Sequence, residues 1–219
     1  MSSKIPTKSE PSGGDGLRQL AAAKDALPRA VYLVATPIGN MNDITLRALD
    51  VLRRAGLIAC EDTRTTGKLL KYHGLRTPMT PYHEHNAKRM LPKLCRRLEC
   101  VHAVALVSDA GMPGISDPGE RVVRRVVEAG HPVVVVPGPS APVAAVSASG
   151  LATDRWCMEG FLPRRGSARS DRLAELAVEE RTMVLFESPN RLATTLRDLV
   201  GVLGPDRRAV VAREMTKLH

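Results

Sequence analysis

From residue 30 onward, short uninterrupted apolar runs alternate with segments whose apolar positions recur every three or four residues. AVYLVAT (30–36), LIACED (57–62), AVALVSD (103–109) and HPVVVVPG (131–138) lack the period-two alternation of a half-solvated strand. They read as strands buried on both faces of a sheet. Between them Asp43 predicts the cap of a helix carrying Ile44, Ala48, Leu49, Val51, Leu52 and Ala55, ended by Gly56. A second helix is expected from about Arg64 to His73 with Gly74 as its stop. A short extended piece near PMTPY then leads to a basic helix at about 86–99, and ERVVRRVVEAG (120–130) is amphipathic. Strand and helix in regular alternation imply a parallel sheet with right-handed crossovers, so the fold class is α/β.

The same pattern divides the chain. Residues 1–29 are rich in Ser, Pro, Gly and Lys, and read as a flexible tail with a short helix in LRQLAAAKDAL. They lack the apolar core and cleavage site of a secretory signal, and Glu10, Asp15 and Asp25 argue against a transit peptide. Residues 30–150 form the expected N-terminal α/β domain, and Gly150 with LATDR marks a linker. In 151–219, RWCMEGFL, a helix near 168–180, TMVLFES, a helix near 190–203 and RAVVARE supply three strands. That is short of a full sheet, so this part is expected to be an incomplete C-terminal α/β domain. No internal repeat is evident.

Composition narrows the partners. At 219 residues, 43% hydrophobic and 25% charged, without a run approaching the ~20 apolar residues of a membrane span, the chain is expected to be soluble. Cys60, Cys95, Cys100 and Cys157 show no CxxC spacing, which fits a cytoplasmic protein with reduced thiols and no metal site. Lys and Arg number 32 against 23 acids, a formal charge of +9 and a pI near 9.8. With arginine pairs at 53–54, 96–97, 124–125 and 164–165, an anionic partner is expected, and nucleic acid is the usual one. Aromatic residues at 3% leave few platforms for stacking single-stranded bases.

Ligands of open α/β sheets sit beyond the carboxyl ends of the strands. There the sequence places TPIGN (36–40), EDTRTT (61–66), SDAGMPGISDPG (108–119) and PGPSA (137–141). None is a GxGxxG or GxxxxGK[ST] loop, so neither a dinucleotide fingerprint nor a P-loop is supported. Gly111 and Gly114 permit close backbone approach, Pro113 and Pro118 stiffen the path, and Asp109 offers a carboxylate to a ligand. On residues alone a second reading stays open, in which Ser108, Asp109 and Asp117 only satisfy turn amides and Pro118 starts a helix.

LVATPIGN, DITLRAL, EDTRTTGKLL, YHEHN, VSDAGMPGISDPG, VPGPSA, EGFLPR and AREMTKLH, in this order, resemble the bacterial ribosomal RNA small-subunit methyltransferase branch of the tetrapyrrole methylase superfamily. The resemblance runs from about residue 31 to the last residue. It implies two α/β domains, commonly dimeric, with S-adenosylmethionine folded between them. It also implies methylation of the ribose 2'-oxygen of a cytidine in the decoding region of 16S rRNA, within the 30S subunit. Carried over motif by motif, it places Ile38, Ser108, Asp109, Met112, Ser140 and Ala141 at the cofactor, with Glu187 in FESPNR and Met215 in REMTK matching more loosely. Small-molecule members carry a GPGD-like loop in place of TPIGN and GGDP in place of SDAGMPG, differences that favour the rRNA branch. Relatives continue beyond TKLH. A tetrapyrrole-type enzyme acting on a small molecule and a non-catalytic RNA-binding fragment are the alternatives.

Methyl transfer from a sulfonium asks the protein to align the methyl with the ribose oxygen and to help remove a proton from a hydroxyl of high pKa. Glu61, Asp62, Arg64, His83, Glu84, His85 and Lys217 are the candidates. Asp62 is the candidate base or orienting group, and Arg64 and Lys217 would grip phosphate or a developing oxyanion. For each there is a plainer role: Asp62 as a helix cap, Arg64 paired with Glu61, Lys217 solvated. Arg164, Arg165, Arg169 and Arg172, around a Gly-Ser loop, are candidate phosphate contacts.

Overall fold

The computed structural model describes residues 26–217 apart from 102, 117 and 118. The expectations for residues 1–25, including the short helix, lie outside them, as do those for Asp117 and Pro118. Within the described residues the chain forms two compact units, one of residues up to 37 and 41–138, the other of 38–40 and 139 onward.

The first unit is a five-stranded, all-parallel sheet. In chain order its strands are β1 (Ala30–Val34), β2 (Leu57–Cys60), β3 (Met79–Pro81), β4 (Ala103–Val107) and β5 (Val133–Val136). Their spatial order is β3-β2-β4-β1-β5, with Leu33 opposite Leu106 on one side of β1 and Val135 on the other. Helices α1 (Leu46–Arg54), α2 (Thr63–Tyr72), α3 (Ala87–Val101) and α4 (Gly119–Glu128) make the crossovers.

Alternate residues of each strand feed different faces. Tyr32, Val34, Ile58, Cys60, Ala105 and Val107 pack with Ala48, Val51 and Leu52 of α1 and Leu69 and Leu70 of α2. Val31, Leu33, Ala59, Val104 and Leu106 pack with Leu94 and Leu98 of α3 and Val122 and Val126 of α4. This two-sided burial explains the uninterrupted apolar runs in β1 and β4. It does not hold for β5, where Val135 is 50% exposed, because an edge strand has a neighbour on one side only. The packed unit also begins before residue 30, since Leu27 is buried in the first cluster and the Pro28 carbonyl accepts from the Tyr32 hydroxyl.

Two local expectations shift. Asp43 falls in a 3-10 turn (Met41–Asp43), and Thr45 caps α1, its Oγ1 accepting from Ala48 N at 3.0 Å. Residues 208–214 form no strand. The second unit has a parallel pair, β6 (Trp156–Phe161) and β7 (Thr182–Phe186), with α5 (Ala141–Ser149), α6 (Ser167–Leu176) and α7 (Leu192–Leu203). RAVVARE has strand composition but finds no ladder in that sheet, and Val210 and Val211 are exposed. This unit takes in α5, which sequence reasoning set before a boundary at 150.

Gly138 closes β5 against β1. A Cβ there would lie 2.9 Å from the Cβ of Ala35 and 3.7 Å from Thr45 Cγ2. Gly138→Ala is expected to destabilise the protein by about 1–3 kcal/mol, the usual cost of overpacking, read as a lower denaturant midpoint at unchanged m-value.

Candidate active site

β1 and β4 are neighbours, yet the chain leaves them in opposite directions. β1 passes through α1 to β2, whereas β4 passes through α4 to β5, and these helices lie on opposite faces. The parting leaves a crevice outside the carboxyl ends of the two strands, where open α/β sheets bind ligands. Here the loops are bonded to each other. Thr36 and Gly111 exchange backbone hydrogen bonds of 3.0 and 3.1 Å, and Thr36 Oγ1 donates to the Ser108 carbonyl at 3.0 Å. Asp109 Oδ1 accepts from the Asp62 amide at 3.1 Å, and the Tyr82 amide donates to the Cys60 carbonyl at 2.7 Å. TPIGN, EDTRTT, YHEHN and SDAGMPG thus meet at one sheet edge through bonds that sequence patterns do not reveal.

Within the long loop, buried Ser108 donates its hydroxyl to the carbonyls of Gly111 and Ala110, at 3.2 and 3.4 Å. Gly111 and Gly114 hold φ of 84° and 90°, where a side chain is strained, and Ser116 tolerates 61°. A Cβ at Gly114 would stand 3.8 Å from the Glu120 amide, in ordinary van der Waals contact with the first turn of α4. A small concavity beside it is lined by Glu61, Tyr82, Ser108, Pro113 and Gly119. Met112 is half-buried against the apolar cluster beneath α3 and α4.

Asp62 caps α2, its Oδ1 accepting from the Arg64 amide at 2.8 Å. The Arg64 guanidinium folds back onto the same carboxylate at 2.6–3.1 Å. The hydrogen bonds from Arg64, side chain first and then amide, hold the Asp62 carboxyl down to about 2. So acidic a group is a poor proton acceptor near neutral pH. Arg64 is therefore paired with Asp62, not Glu61, while its side chain stays 86% exposed. Burial pushes the Cys60 thiol up, and nearby Asp109 and Asp62 add to this against a hydrogen bond with Thr66. His83 Nε2 meets Asn86 Nδ2 at 3.1 Å, while its buried Nδ1 has no hydrogen-bond partner among the described residues. His85 stands 6.0 Å from the His83 ring. Among the described residues no three His, Cys, Asp or Glu side chains gather as a metal site.

The second unit holds the other candidates. Ile38 is half-buried, and a Cβ at the adjacent Gly39 would lie 2.6 Å from Thr216 Oγ1 and 3.3 Å from Lys217 Cγ, so Gly39 of TPIGN lies against Thr216 and Lys217. Among the described residues the buried Thr216 Oγ1 has no hydrogen-bond partner, Met215 is 42% exposed, and Lys217 Nζ pairs with Glu214 at 2.7 Å. Ser140 precedes α5 without a side-chain capping bond, and Ala141 opens that helix. Glu187 accepts from the Ser188 amide at 2.7 Å and the Thr195 hydroxyl at 2.6 Å, and lies 3.2 Å from Arg191. Burial raises its pKa, but the bonds from Thr195 and Ser188 and the charge of Arg191 outweigh this, and the net shift is downward.

Arg169 extends this network. It is buried, donates to Asp198 at 2.7 and 2.9 Å, to Thr195 Oγ1 at 3.0 Å and to the Pro163 carbonyl at 2.9 Å. Arg172 pairs with Glu159 and Glu175. Of the four arginines expected to contact phosphate, Arg169 is thus a buried tether and Arg172 is paired. Arg164 and Arg165 remain exposed on the loop that Arg169 holds. Sequence spacing gave no sign of this tether, whose partners lie 6 to 29 residues away.

An open parallel sheet with its polar loops joined at the switch point defines a ligand-binding α/β class. Residues 30–219 match the tetrapyrrole (corrin/porphyrin) methylases, and the chain belongs to that family. It is 50% identical over 189 residues to the ribosomal RNA small subunit methyltransferase I of Synechocystis, covering 86% of this chain and 68% of that protein. With the protein of the same name from Mesorhizobium japonicum it shares 51% identity over 191 residues, covering 87% and 65%. The chain thus spans about two thirds of the length of the curated relatives it matches. A crystal structure of Thermus thermophilus uroporphyrin-III C-methyl transferase complexed with S-adenyl homocysteine superposes with a TM-score of 0.58 at 22% identity, covering 81% of this chain and 78% of that one. That likeness is one of fold.

Two outcomes follow from the ion pairs. Arg169→Met is expected to cost about 2–3 kcal/mol, less than the ~3–5 of a fully buried pair because Asp198 is one-third exposed. Arg164→Gln and Arg165→Gln should leave the denaturation midpoint unchanged. Because the Asp62 pKa is depressed, its contribution to stability is complete above its ordinary value near 4 and is lost as pH falls toward about 2. The acid limb of the stability curve should be shallower over that window in Asp62→Asn.

Proposed function

We propose that the chain is an S-adenosylmethionine-dependent methyltransferase of ribosomal RNA. The observation carrying this reading is identity of about half the residues over most of the chain with relatives named for that activity. The finer expectations belong to the same proposal: a cytidine 2'-oxygen of 16S rRNA as acceptor, the 30S subunit as substrate, and a cytoplasmic homodimer. A small-molecule substrate has the fold likeness and the description of the family in its favour.

The residues of the first unit suit such a cofactor. A backbone held at positive φ at Gly111 and Gly114 brings the loop close to the first turn of α4, and the small concavity there, with Ser108 and Glu61 in its wall, gives a polar edge that suits an amino-acid-like end. S-adenosylmethionine bound there supplies an activated methyl group on a sulfonium. Asp109 fixes the loop through the Asp62 amide and lends charge to the same edge. Since Asp62 is too acidic to take a proton readily, Glu61 is the better acceptor for the ribose hydroxyl, and Arg64 keeps a charge at the surface for phosphate. For Ile38, Ser140, Ala141, Glu187, Met215 and Lys217 the family resemblance alone supports a part in the site. In the second unit Thr216 Oγ1, orphaned among the described residues and next to Gly39, adds a donor.

Calorimetric titration with S-adenosylmethionine tests cofactor binding. Asp109→Ala is expected to weaken affinity about tenfold or more, on the scale of a charge-assisted hydrogen bond; equal affinity in the variant would reject the loop's role. Methyl transfer to 30S subunits and to free 16S rRNA, with the modified ribose mapped, tests the reaction. Glu61→Gln should lower kcat about 10²-fold or more with cofactor affinity retained. A methyl group on a base nitrogen, or on no RNA, would overturn the assignment.

A further inference from the structure

Helix α3 carries more positive charge than its own fold can use. Ala87, Leu94 and Leu98 are buried, with Met90 and Leu91 packed beside them against the sheet. Lys88, Arg89, Lys93, Arg96 and Arg97 are all exposed, together with Pro92 and Glu99. At 100° per residue the five cations fall within one half of the helix circumference, and Arg89, Lys93 and Arg97 follow one another at intervals of about 6 Å along the axis. None of the five forms an ion pair among the described residues.

Other helices of the chain pair some of their arginines along the helix. On α4, Arg124 pairs with Glu120 and Arg125 with Glu128, and on α6 Arg172 pairs with Glu175. Such i,i+3 and i,i+4 pairs support a helix, whereas like charges at the same spacing weaken it. On α3 the like charges recur at i,i+4, and two of them stand in the first turn, where the helix dipole disfavours cations. Pro92 removes a further backbone bond. A face kept only for solubility or folding would balance its signs; here Glu99 is the single acid among five cations, and the excess is left to be neutralised by something outside the helix.

The helix also starts in the right place. It follows YHEHN directly, and that motif is hydrogen-bonded to the end of β2 at the sheet edge that carries EDTRTT and SDAGMPG. Lys88 and Arg89 stand nearest those loops, with Arg96 and Arg97 about two turns farther along. We propose that the outer face of α3 is a docking track for the phosphate backbone of the RNA substrate, laying the strand beside the target nucleotide toward the sheet-edge loops. This rests on the reading of the chain as an RNA methyltransferase. The partner is a polyphosphate strand, because a regular row of point charges along a helix matches a regular row of phosphates.

The test compares the parent with two triple variants, Lys88→Gln/Arg89→Gln/Lys93→Gln and Lys93→Gln/Arg96→Gln/Arg97→Gln, using a 16S rRNA decoding-region fragment as probe. The slope of log affinity against log salt is expected to shrink by about 0.7–0.9 for each phosphate contact removed. The RNA KM should rise about tenfold or more, while kcat at saturating RNA and S-adenosylmethionine affinity stay at the parental values. Thermal midpoints should be equal or slightly higher, since repulsion is relieved; a face retained for folding would lose stability instead. Arg124→Gln/Arg125→Gln on α4 should leave the salt slope unchanged. A parental slope and KM in both α3 variants would overturn the track, as would loss of polyglutamate binding in those variants with RNA binding intact. Should the parent methylate no RNA, the functional reading fails by that assay, and the track is still decided by the salt slope.

Discussion

The pairing of β1 with β4, continued past the strand ends by the two hydrogen bonds between Thr36 and Gly111, is the constraint on which the site depends. Parallel strands at a switch point send their chains apart, and left alone their loops would open onto solvent. The Thr36 bridge holds the start of the glycine-rich segment, from Ser108 to Gly111, to the end of β1, and the Thr36 hydroxyl, spent on the Ser108 carbonyl, removes a polar group that burial would otherwise penalise. Everything proposed for the first unit, from the positive-φ glycines to the concavity beside Glu61, follows from that fixed crossing.

Charge is organised in three ways in this molecule. Some arginines are structural, as Arg169 is where it ties α6 to α7 and to the Pro163 carbonyl. Others are paired across a helix turn at the surface and contribute little to stability. Among the described residues a third group, which includes the cations of α3 with Arg164 and Arg165, stands exposed without a paired acid, and on α3 it is gathered on one side of the helix. A net charge of +9 says only that anions are attracted; the distribution of pairing says where.

The sheet was legible because β1, β2 and β4 are buried on both faces, and their apolar runs carry no other reading. The order of the strands was not, since register is settled by contacts between segments tens of residues apart. Helix ends were read well where one residue decides them, as Asp62 and Gly74 do for α2. They were misread where two caps competed, and Thr45 displaced Asp43. RAVVARE failed as a strand because composition describes what a segment tolerates, and pairing requires a neighbour. In the site, motif resemblance located the loops, but the roles of their side chains were fixed by local bonds. Asp62 is engaged by Arg64, Met112 by the apolar cluster, and Glu187 by Thr195 and Ser188.

The hydrogen bond from the Asp62 amide to Asp109 joins the cap of α2 to the loop that follows β4. Two segments that share a bond share their freedom. Whatever orders the loop at 108–114 removes motion from the first turn of α2, and by thermodynamic reciprocity anything that grips Arg64 or Asp62 from outside returns the same free energy to the loop. Occupancy of one edge segment therefore becomes a property of its neighbour, with a single carboxylate as the coupling element.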